Sequence, residues 1–259
     1  MPARAKEPLS RARVLAAALE VADTEGVPAV TMRRVAEVLD CEAMSLYHYV
    51  DKKALLAGLT EAVVGEIAVA ALDALPPPED PADWRSVVRR RCLAAREVML
   101  RHPWAPPLVA TQPQPPPTVY PLFEALVATM VEAGCGYELA HRAIHSLGSM
   151  LLGFTQELFE PTADDEGVAS PQAQAMALAM PYLARLAEVA VHEAEGTIGL
   201  CDTQAEFEFT LGLVLDGLEA HHRASRAGQT EASGAAAAQA KAADAPVADA
   251  PAATAASAV

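Results

Sequence analysis

The stretch from Thr31 to Leu55, TMRRVAEVLDCEAMSLYHYVDKKAL, decides the fold of this chain. Thr31 can cap a short helix that ends near Leu39, with valines before and after the cap placed to clamp its first turn. After a turn of three or four residues, a third helix is predicted from about Ala43 to Tyr49. Asp51 then caps a longer helix. Two short helices joined by such a turn describe a helix-turn-helix.

The rest of the chain is also predicted to be helical. Ser10 can cap a first helix, which Gly26 would end. Apolar side chains recur at helical spacing beyond Asp51, and no alternating strand pattern or hairpin turn interrupts them. The fold class is therefore all-α, with the further helices predicted at about 51–72, 82–101, 118–133, 137–159, 172–194 and 203–225.

Composition divides the chain into segments. Residues 1–9 are predicted to be flexible, residues 10–72 to form the helix-turn-helix domain, and residues 82–226 to form a larger helical domain. Residues 227–259 contain 17 alanines and no Leu, Ile or aromatic residue, so they are predicted to be a disordered tail. The prolines between residues 103 and 117 exclude a long helix there.

The charge of the whole chain argues against a nucleic-acid partner. Its 19 basic and 34 acidic residues give a formal net charge of −15, whereas DNA-binding domains are usually basic. Residues 1–56, however, contain eight basic and eight acidic residues. The first segment is therefore neutral, and we expect the acidic remainder to face away from any DNA.

Other protein classes find little support in the sequence. No signal peptide and no run of 18 apolar residues are evident, so a cytoplasmic protein without a membrane partner is predicted. The four cysteines form no CxxC pair, and no catalytic or cofactor-binding motif is present, so neither an enzyme nor a cofactor is expected. His141 and His145, four residues apart, leave one alternative open, which is a helical metal-binding protein or enzyme using these histidines and His102.

The helix-turn-helix segment resembles the DNA-binding domain of the TetR family of transcriptional repressors. The resemblance rests on the T-x-R start at Thr31, the Val35-Ala36 step, the run Leu46–Val50, and the D-K-x-x-L sequence at Asp51–Leu55. More weakly, the region from Leu100 to Phe159 resembles the ligand-binding domain of the tetracycline-type branch.

The resemblance implies that the third helix lies in the major groove of DNA while its neighbours hold phosphates. Tyr47 would bond a phosphate, and Lys53 would contact the backbone or nearby bases from the start of the fourth helix. The residues expected to contact DNA are Thr31, Arg33, Glu42, Ala43, Met44, Ser45, Tyr47, His48, Tyr49 and Lys53.

The resemblance also places a ligand pocket between the long helices, with the broken segment at 103–117 as a movable link. Leu108-Val109 stand near the position of a metal-binding histidine in tetracycline-binding members, which argues against a metal-chelated tetracycline. The candidate lining residues are Arg96, Met99, Leu100, Trp104, Leu108, Gln112, Phe123, Val127, Met130, His145, Ser149 and Leu152.

A homodimer is predicted through the helices at about 137–159 and 203–225. Two apolar stripes on these helices exceed what one core face needs, and the resemblance implies that they pack as a four-helix bundle across a two-fold axis. Burial within one monomer would also explain them. The stripes consist of Ile144, Leu147, Leu151, Phe154 and Leu158, and of Phe207, Leu211, Val214, Leu215 and Leu218.

The predicted function is that of a ligand-responsive repressor that binds a palindromic operator as a homodimer. A small, largely apolar effector would shift the broken segment, swing the helix at 51–72 and change the separation of the recognition helices. An activator, or an adaptor that has lost its ligand response, remains an alternative.

Overall fold

The computed structural model describes residues 8–73, 83–154, 175, 178–190 and 203–243. Within these ranges it contains ten α-helices and no strand, which confirms the all-α prediction. The helices are α1 (Arg11–Glu25), α2 (Met32–Leu39), α3 (Ala43–Leu46), α4 (Lys52–Ala68), α5 (Trp84–Arg101), α6 (Ala105–Ala110), α7 (Tyr120–Glu132), α8 (Tyr137–Gly153), α9 (Pro181–Ala190) and α10 (Thr203–Ala243).

Side-chain caps begin the helices of the N-terminal region where the sequence predicts them. Ser10, Thr31 and Asp51 each accept a hydrogen bond from the backbone N–H three residues further on, at 3.3, 3.1 and 2.7 Å. Each bond satisfies a backbone donor that the first helical turn leaves without a partner. Gly26 ends α1 with a φ of 82°, a left-handed conformation that favours glycine.

The third helix is shorter than predicted. It ends at Leu46, and residues 47–49 form a turn. The backbone N–H groups of Tyr49 and Val50 both donate to the carbonyl of Leu46, at 2.9 and 3.0 Å. Since Leu46 and Val50 are both buried, this tight turn keeps both side chains in the core and sends the chain into α4.

The first hydrophobic cluster holds the helix-turn-helix together. Val14 and Val21 of α1, Val35 of α2, Leu46 of α3 and Leu55 of α4 are all buried in it. Because every helix of the segment contributes, the exposed residues of α2 and α3 are held on a rigid support.

A third cluster crosses the predicted domain boundary. Val63 and Ile67 of α4 pack with Ala95 and Val98 of α5. The chain forms two compact units at residues 1–218 and 219–259, and the predicted boundary between the segments 10–72 and 82–226 lies inside the first unit. The physical reason is that α4 is apolar on more than one face.

The same helix explains a membrane-like signal. The stretch Lys52–Leu72 is long and apolar enough to cross a membrane by length and composition alone. Leu55, Leu59, Val63 and Ile67 are nevertheless buried against other helices of the protein, which is the behaviour of a central core helix.

The second cluster corrects the reading of the predicted dimer stripes. Leu147 of α8 packs in this cluster of the same chain, together with Phe207, Leu211, Leu215 and Leu218 of α10. The alternative of burial within one monomer therefore holds for these five side chains. The apolar face of α10 packs against the core of its own chain. Leu158 lies outside the described residues.

The last helix is longer than predicted. It continues to Ala243 and so runs into the segment for which disorder is predicted from residue 227. Alanine has the highest helix propensity, so an alanine-rich segment can extend a helix that has already begun. Residues 1–7 and 244–259, and the parts of the predicted helices at 155–159, 172–174, 176–177 and 191–194, lie outside the described residues.

The cluster shared by α1 and α4 gives a stability prediction. Leu59 is fully buried in it, so Leu59→Ala should lower the free energy of unfolding by about 2–5 kcal/mol through lost burial and the remaining cavity. Urea unfolding followed by circular dichroism measures the change. Leu100→Ala, at an exposed leucine, is the matched control and should cost about 0.5 kcal/mol or less. Equal losses in the two variants would contradict this packing.

Candidate functional site

The residues predicted to contact DNA lie on the surface of the helix-turn-helix. Ala43 and Ser45 are half-buried, and the other eight are exposed. Met44 and Tyr47 stand out, with 71% and 54% of their surface exposed. The structure thus brings all ten onto the outer side of α2, α3 and the start of α4, while leaving their contact with DNA a prediction. The eight exposed residues are Thr31, Arg33, Glu42, Met44, Tyr47, His48, Tyr49 and Lys53.

Two arginines of α2 differ in how they are held. Arg34 pairs with Glu25 of α1 at 2.7 Å and with Glu37 at 3.4 Å. The hydrogen bond from Arg34 holds the pKa of Glu25 below its usual value, and Glu25 in turn raises the pKa of Arg34. The side chain of Arg33 is 88% exposed, and its one ion pair among the described residues is the i,i+4 contact to Glu37 at 3.2 Å, which is weak in water. Arg33 is therefore the more available of the two cations for a phosphate.

Lys52 has a role that sequence reasoning missed. Its ammonium donates to the carbonyl of Val30, just before α2. The bond ties the start of α4 to the start of α2 across 22 residues. No local signal could reveal it, because the two groups meet only once the helices have packed.

An apolar cavity of about 330 Å³ lies among α4, α5, α7, α8 and the proline-rich segment after α6. Ligand pockets commonly have volumes of this order and are mostly apolar. The only ionisable or amide side chains in its wall, within the described part of the chain, are Arg91, Cys92, Gln112 and Gln114. Its apolar wall includes Ile67, Val88, Ala95, Leu122, Leu126, Leu147 and Leu151.

The structure places four of the twelve predicted ligand residues in the cavity wall, namely Met99, Gln112, Phe123 and Leu152. The other eight lie outside it. Their positions differ from the prediction because one helix face cannot be distinguished from another before the helices are packed. These eight are Arg96, Leu100, Trp104, Leu108, Val127, Met130, His145 and Ser149.

Two of these eight are core residues. Arg96 is 1% exposed and donates to Gln204 at 2.9 Å and to the carbonyl of Phe154 at 2.6 Å. Its guanidinium lies 4.6 Å from the centre of the Phe207 ring, so it joins α5, α8 and α10 as a structural cation. Met130 is fully buried in the second cluster.

The remaining six lie on the surface or against the clusters. Leu100, His145 and Ser149 are exposed. Leu108 packs against the first cluster, Val127 packs against the second, and Trp104 packs against both the first and the third. Sequence reasoning missed Arg91 and Cys92, which lie in the cavity wall. The two residues are adjacent on α5, so helical spacing gave no reason to place both of them at a ligand pocket.

A polar junction connects the end of α5 to two helices of the first segment. His102 is 6% exposed, and its ring nitrogens lie 2.7 Å from the Asp23 carboxylate of α1 and 3.2 Å from the Glu66 carboxylate of α4. The indole of Trp104 also donates to Asp23, at 2.7 Å. The proline-rich segment therefore begins at a point that touches α1 and α4 at once.

The metal-binding alternative can be compared with these positions. His141 and His145 lie on α8 with ring centres 4.7 Å apart, and both are exposed, while His102 belongs to the buried junction. Within the described residues, no three His, Cys, Asp or Glu side chains are grouped to hold a metal ion.

A helix-turn-helix surface joined through α4 to an apolar cavity defines the class of ligand-binding transcriptional regulators. The family profile described as "Tetracyclin repressor-like, C-terminal domain" matches residues 77–222. The chain belongs to the TetR family of transcriptional regulators. This is a family of regulators and not of enzymes.

Individual relatives agree with this family. The chain is 33% identical over 134 residues to an HTH-type transcriptional regulator of Saccharopolyspora erythraea, a match that spans 51% of this chain and only 54% of that protein. It is 28% identical over 213 residues to tetracycline repressor protein class C of Escherichia coli, covering 82% of this chain and 91% of the repressor.

Solved structures show the same fold. A possible TetR family transcriptional regulator from Streptomyces coelicolor A3(2) is 30% identical, with a TM-score of 0.64 over 82% of this chain and 99% of that chain. The S. coelicolor TetR family protein ActR, in complex with (S)-DNPA, is 25% identical, with a TM-score of 0.61 over 83% of this chain and 99% of that chain.

The wall of the cavity gives a chemical prediction. Burial raises the pKa of the Cys92 thiol to about 12, so almost none of it is the reactive thiolate at pH 8. Cys41 is half-buried on the helix-turn-helix and should be alkylated by iodoacetamide faster, by about tenfold or more. Peptide mass spectrometry at timed intervals measures both rates. Faster labelling of Cys92 would show that this part of the wall is open to water.

Proposed function

We propose that the chain is a ligand-responsive repressor that binds a palindromic operator as a homodimer and is released by a small, largely apolar effector. The proposal rests on one observation, which is that α4 belongs both to the helix-turn-helix core and to the cavity wall. Its N-terminal half packs in the helix-turn-helix core, and its C-terminal half contributes Val64, Ile67 and, just beyond it, Ala71 to the region of the cavity. A ligand in the cavity would therefore touch the helix that supports the DNA-contacting surface.

On DNA, the exposed residues of α3 and of the turn after it would face base edges in the major groove. Met44 offers an apolar contact of the kind a thymine methyl accepts, and Ser45 can donate or accept a hydrogen bond. Arg33, Tyr47 and Lys53 would hold phosphates on either side. The neutral charge of residues 1–56 predicts weak non-specific binding, because few counterions would be released.

A homodimer would supply two such surfaces, spaced about one turn of DNA or ~34 Å apart. The faces of α8 and α10 that remain available differ from the stripes in the core. Phe209 and Leu213 of α10 are 64% and 57% exposed, four residues apart on one face. A Cβ added at Gly153, Gly212 or Gly217 would meet nothing within 4 Å, so helices of a second copy could approach closely at these positions.

The effector would act by binding the DNA-incompetent conformation more tightly. Gln112, Gln114 and Pro116 of the proline-rich segment line the cavity, and the same segment begins at the junction of His102, Asp23 and Glu66. Movement of this segment would reach both α1 and α4. ActR, which shares the fold, has been crystallised with a small molecule, and this supports a ligand-binding role. We place the protein in the cytoplasm, where the operator DNA would be found.

Removing two phosphate contacts tests the DNA surface. The double variant Arg33→Ala, Tyr47→Ala should lower operator affinity by about 100-fold or more, because each lost phosphate contact weakens binding. The operator is first obtained by selecting bound fragments of genomic DNA, and affinity is then measured by fluorescence anisotropy. Sedimentation should show an unchanged mass, because both residues are exposed.

The matched control is Tyr182→Ala, Arg185→Ala on α9, which removes the same two residue types from an exposed helix outside the helix-turn-helix. Its affinity should stay within about twofold of the unchanged protein. If the α2–α3 variant also kept its affinity, the assignment of the DNA surface would be wrong.

The junction gives a second test of the mechanism. Trp104→Phe keeps an aromatic ring at this position but removes the hydrogen bond to Asp23. It should therefore weaken the link between the proline-rich segment and α1. We expect operator affinity within about twofold, and about fivefold more effector for half-release, corresponding to roughly 1 kcal/mol of lost coupling. The effector is any compound that a thermal-shift screen shows to bind.

Thr111→Val is the control for this variant. Among the residues that the structure describes, the Thr111 hydroxyl donates to carbonyls of its own segment alone, at 3.0 Å. It should leave the release curve unchanged. A release curve for Trp104→Phe that coincides with that of Thr111→Val would remove the junction from the mechanism.

A further inference from the structure

Arg91 is a cation in the wall of an otherwise apolar cavity. It is half-buried, and its Nη1 donates to two neutral groups of α7, the carbonyl of Ala125 at 2.9 Å and the hydroxyl of Thr129 at 2.8 Å. These bonds hold one side of the guanidinium in place. They leave its positive charge uncompensated.

Two arginines of the same helix that lie outside the cavity wall form ion pairs. Arg85 pairs with Asp216 and Arg89 pairs with Glu208, both on α10. Among the described residues, no carboxylate lies within ion-pair distance of Arg91. No Asp or Glu of the described residues lines the cavity either. Two arginines of α5 are thus paired with carboxylates of α10, whereas the arginine at the cavity has no such partner among the described residues.

An uncompensated cation in such a place is unfavourable for the empty protein. Burial, and then the neighbouring charge of Arg90, lower the pKa of Arg91. A guanidinium nevertheless stays charged at neutral pH. Its planar fork of donors matches a carboxylate, and a bidentate pair of this kind is strong where water is partly excluded. The described wall of the cavity therefore offers no anion to pair with Arg91, and a ligand can supply one.

We propose that the effector is a monoanion, an apolar and compact molecule carrying one carboxylate or similar oxyanion, which pairs with Arg91 while its body fills the apolar part of the cavity. This inference rests on the proposed function and narrows its ligand class. The cavity volume of about 330 Å³ is at the small end for drug-sized ligands. A single cation in the wall matches a single negative charge.

Two dyes that differ by one charged group provide the test. The anionic probe is 1-anilinonaphthalene-8-sulfonate, and the neutral probe is N-phenyl-1-naphthylamine, which has the same ring system without the sulfonate. Both fluoresce in apolar surroundings, so their affinities for the full chain are measured by titration. Competition between them shows whether they share a site.

Arg91→Gln should weaken binding of the anionic dye by about tenfold or more, since a partly desolvated charge pair is lost. Binding of the neutral dye should stay within about twofold. Arg91→Lys should keep part of the preference for the anion. The control Arg85→Gln removes the same charge from the same helix outside the cavity and should change neither affinity.

A separate variant locates the site. Gly148 lines the cavity, and a Cβ there would meet nothing within 4 Å, so Gly148→Phe should fill the space and weaken both dyes. If this variant leaves both affinities unchanged, the dyes bind elsewhere, and the cavity of the proposed function fails together with this inference.

The remaining outcomes concern Arg91 alone. If Gly148→Phe blocks both dyes but Arg91→Gln weakens them equally or not at all, the cavity stands and the anionic class is overturned. Circular dichroism of each variant shows whether an equal loss comes from unfolding, and Arg91→Lys then decides, because it keeps the charge. A selective loss of the anionic dye supports the proposal.

Discussion

The packing of α4 is the constraint on which the rest of the first compact unit depends. Leu55 and Leu59 are buried with α1, while Val63 and Ile67 are buried with α5. Since interiors are close-packed, neither half of the helix can shift without disturbing a core. The helix-turn-helix and the cavity are therefore parts of one packed structure, and in the proposed mechanism this shared helix transmits the effect of the ligand.

A polar junction lies where the two parts meet, and His102 is its buried member. Asp23, Glu66 and His102 form one junction, with Trp104 added from the following segment. Arg96 is buried at another place, where it holds the ends of helices. A buried polar group is costly unless it is bonded, and these groups are bonded to several helices at once. The hydrogen bonds described for Arg91 and for Arg96 are both to neutral groups, but of the two only Arg91 lies in the cavity wall. This position is the basis for the proposed anionic effector.

Local signals predicted a large part of this structure. The caps at Ser10, Thr31 and Asp51 and the stop at Gly26 are where the sequence places them, because capping depends on residues three positions apart. The end of α3 was predicted three residues too late, since the tight turn after Leu46 is held by burial of Leu46 and Val50. The alanine-rich segment was predicted to be disordered from its lack of large apolar residues, yet α10 runs through its first half, where propensity suffices.

The sequence by itself determined the helical class, the helix-turn-helix and the family resemblance, because these depend on spacing along the chain. Only the tertiary structure decided which faces meet. It placed Arg91 rather than Arg96 at the cavity, tied Lys52 to Val30, and turned Phe207 and Leu211 into the core of their own chain. The physical reason is that a helical repeat shows which residues share a face, whereas the neighbour that covers this face is set by long-range packing.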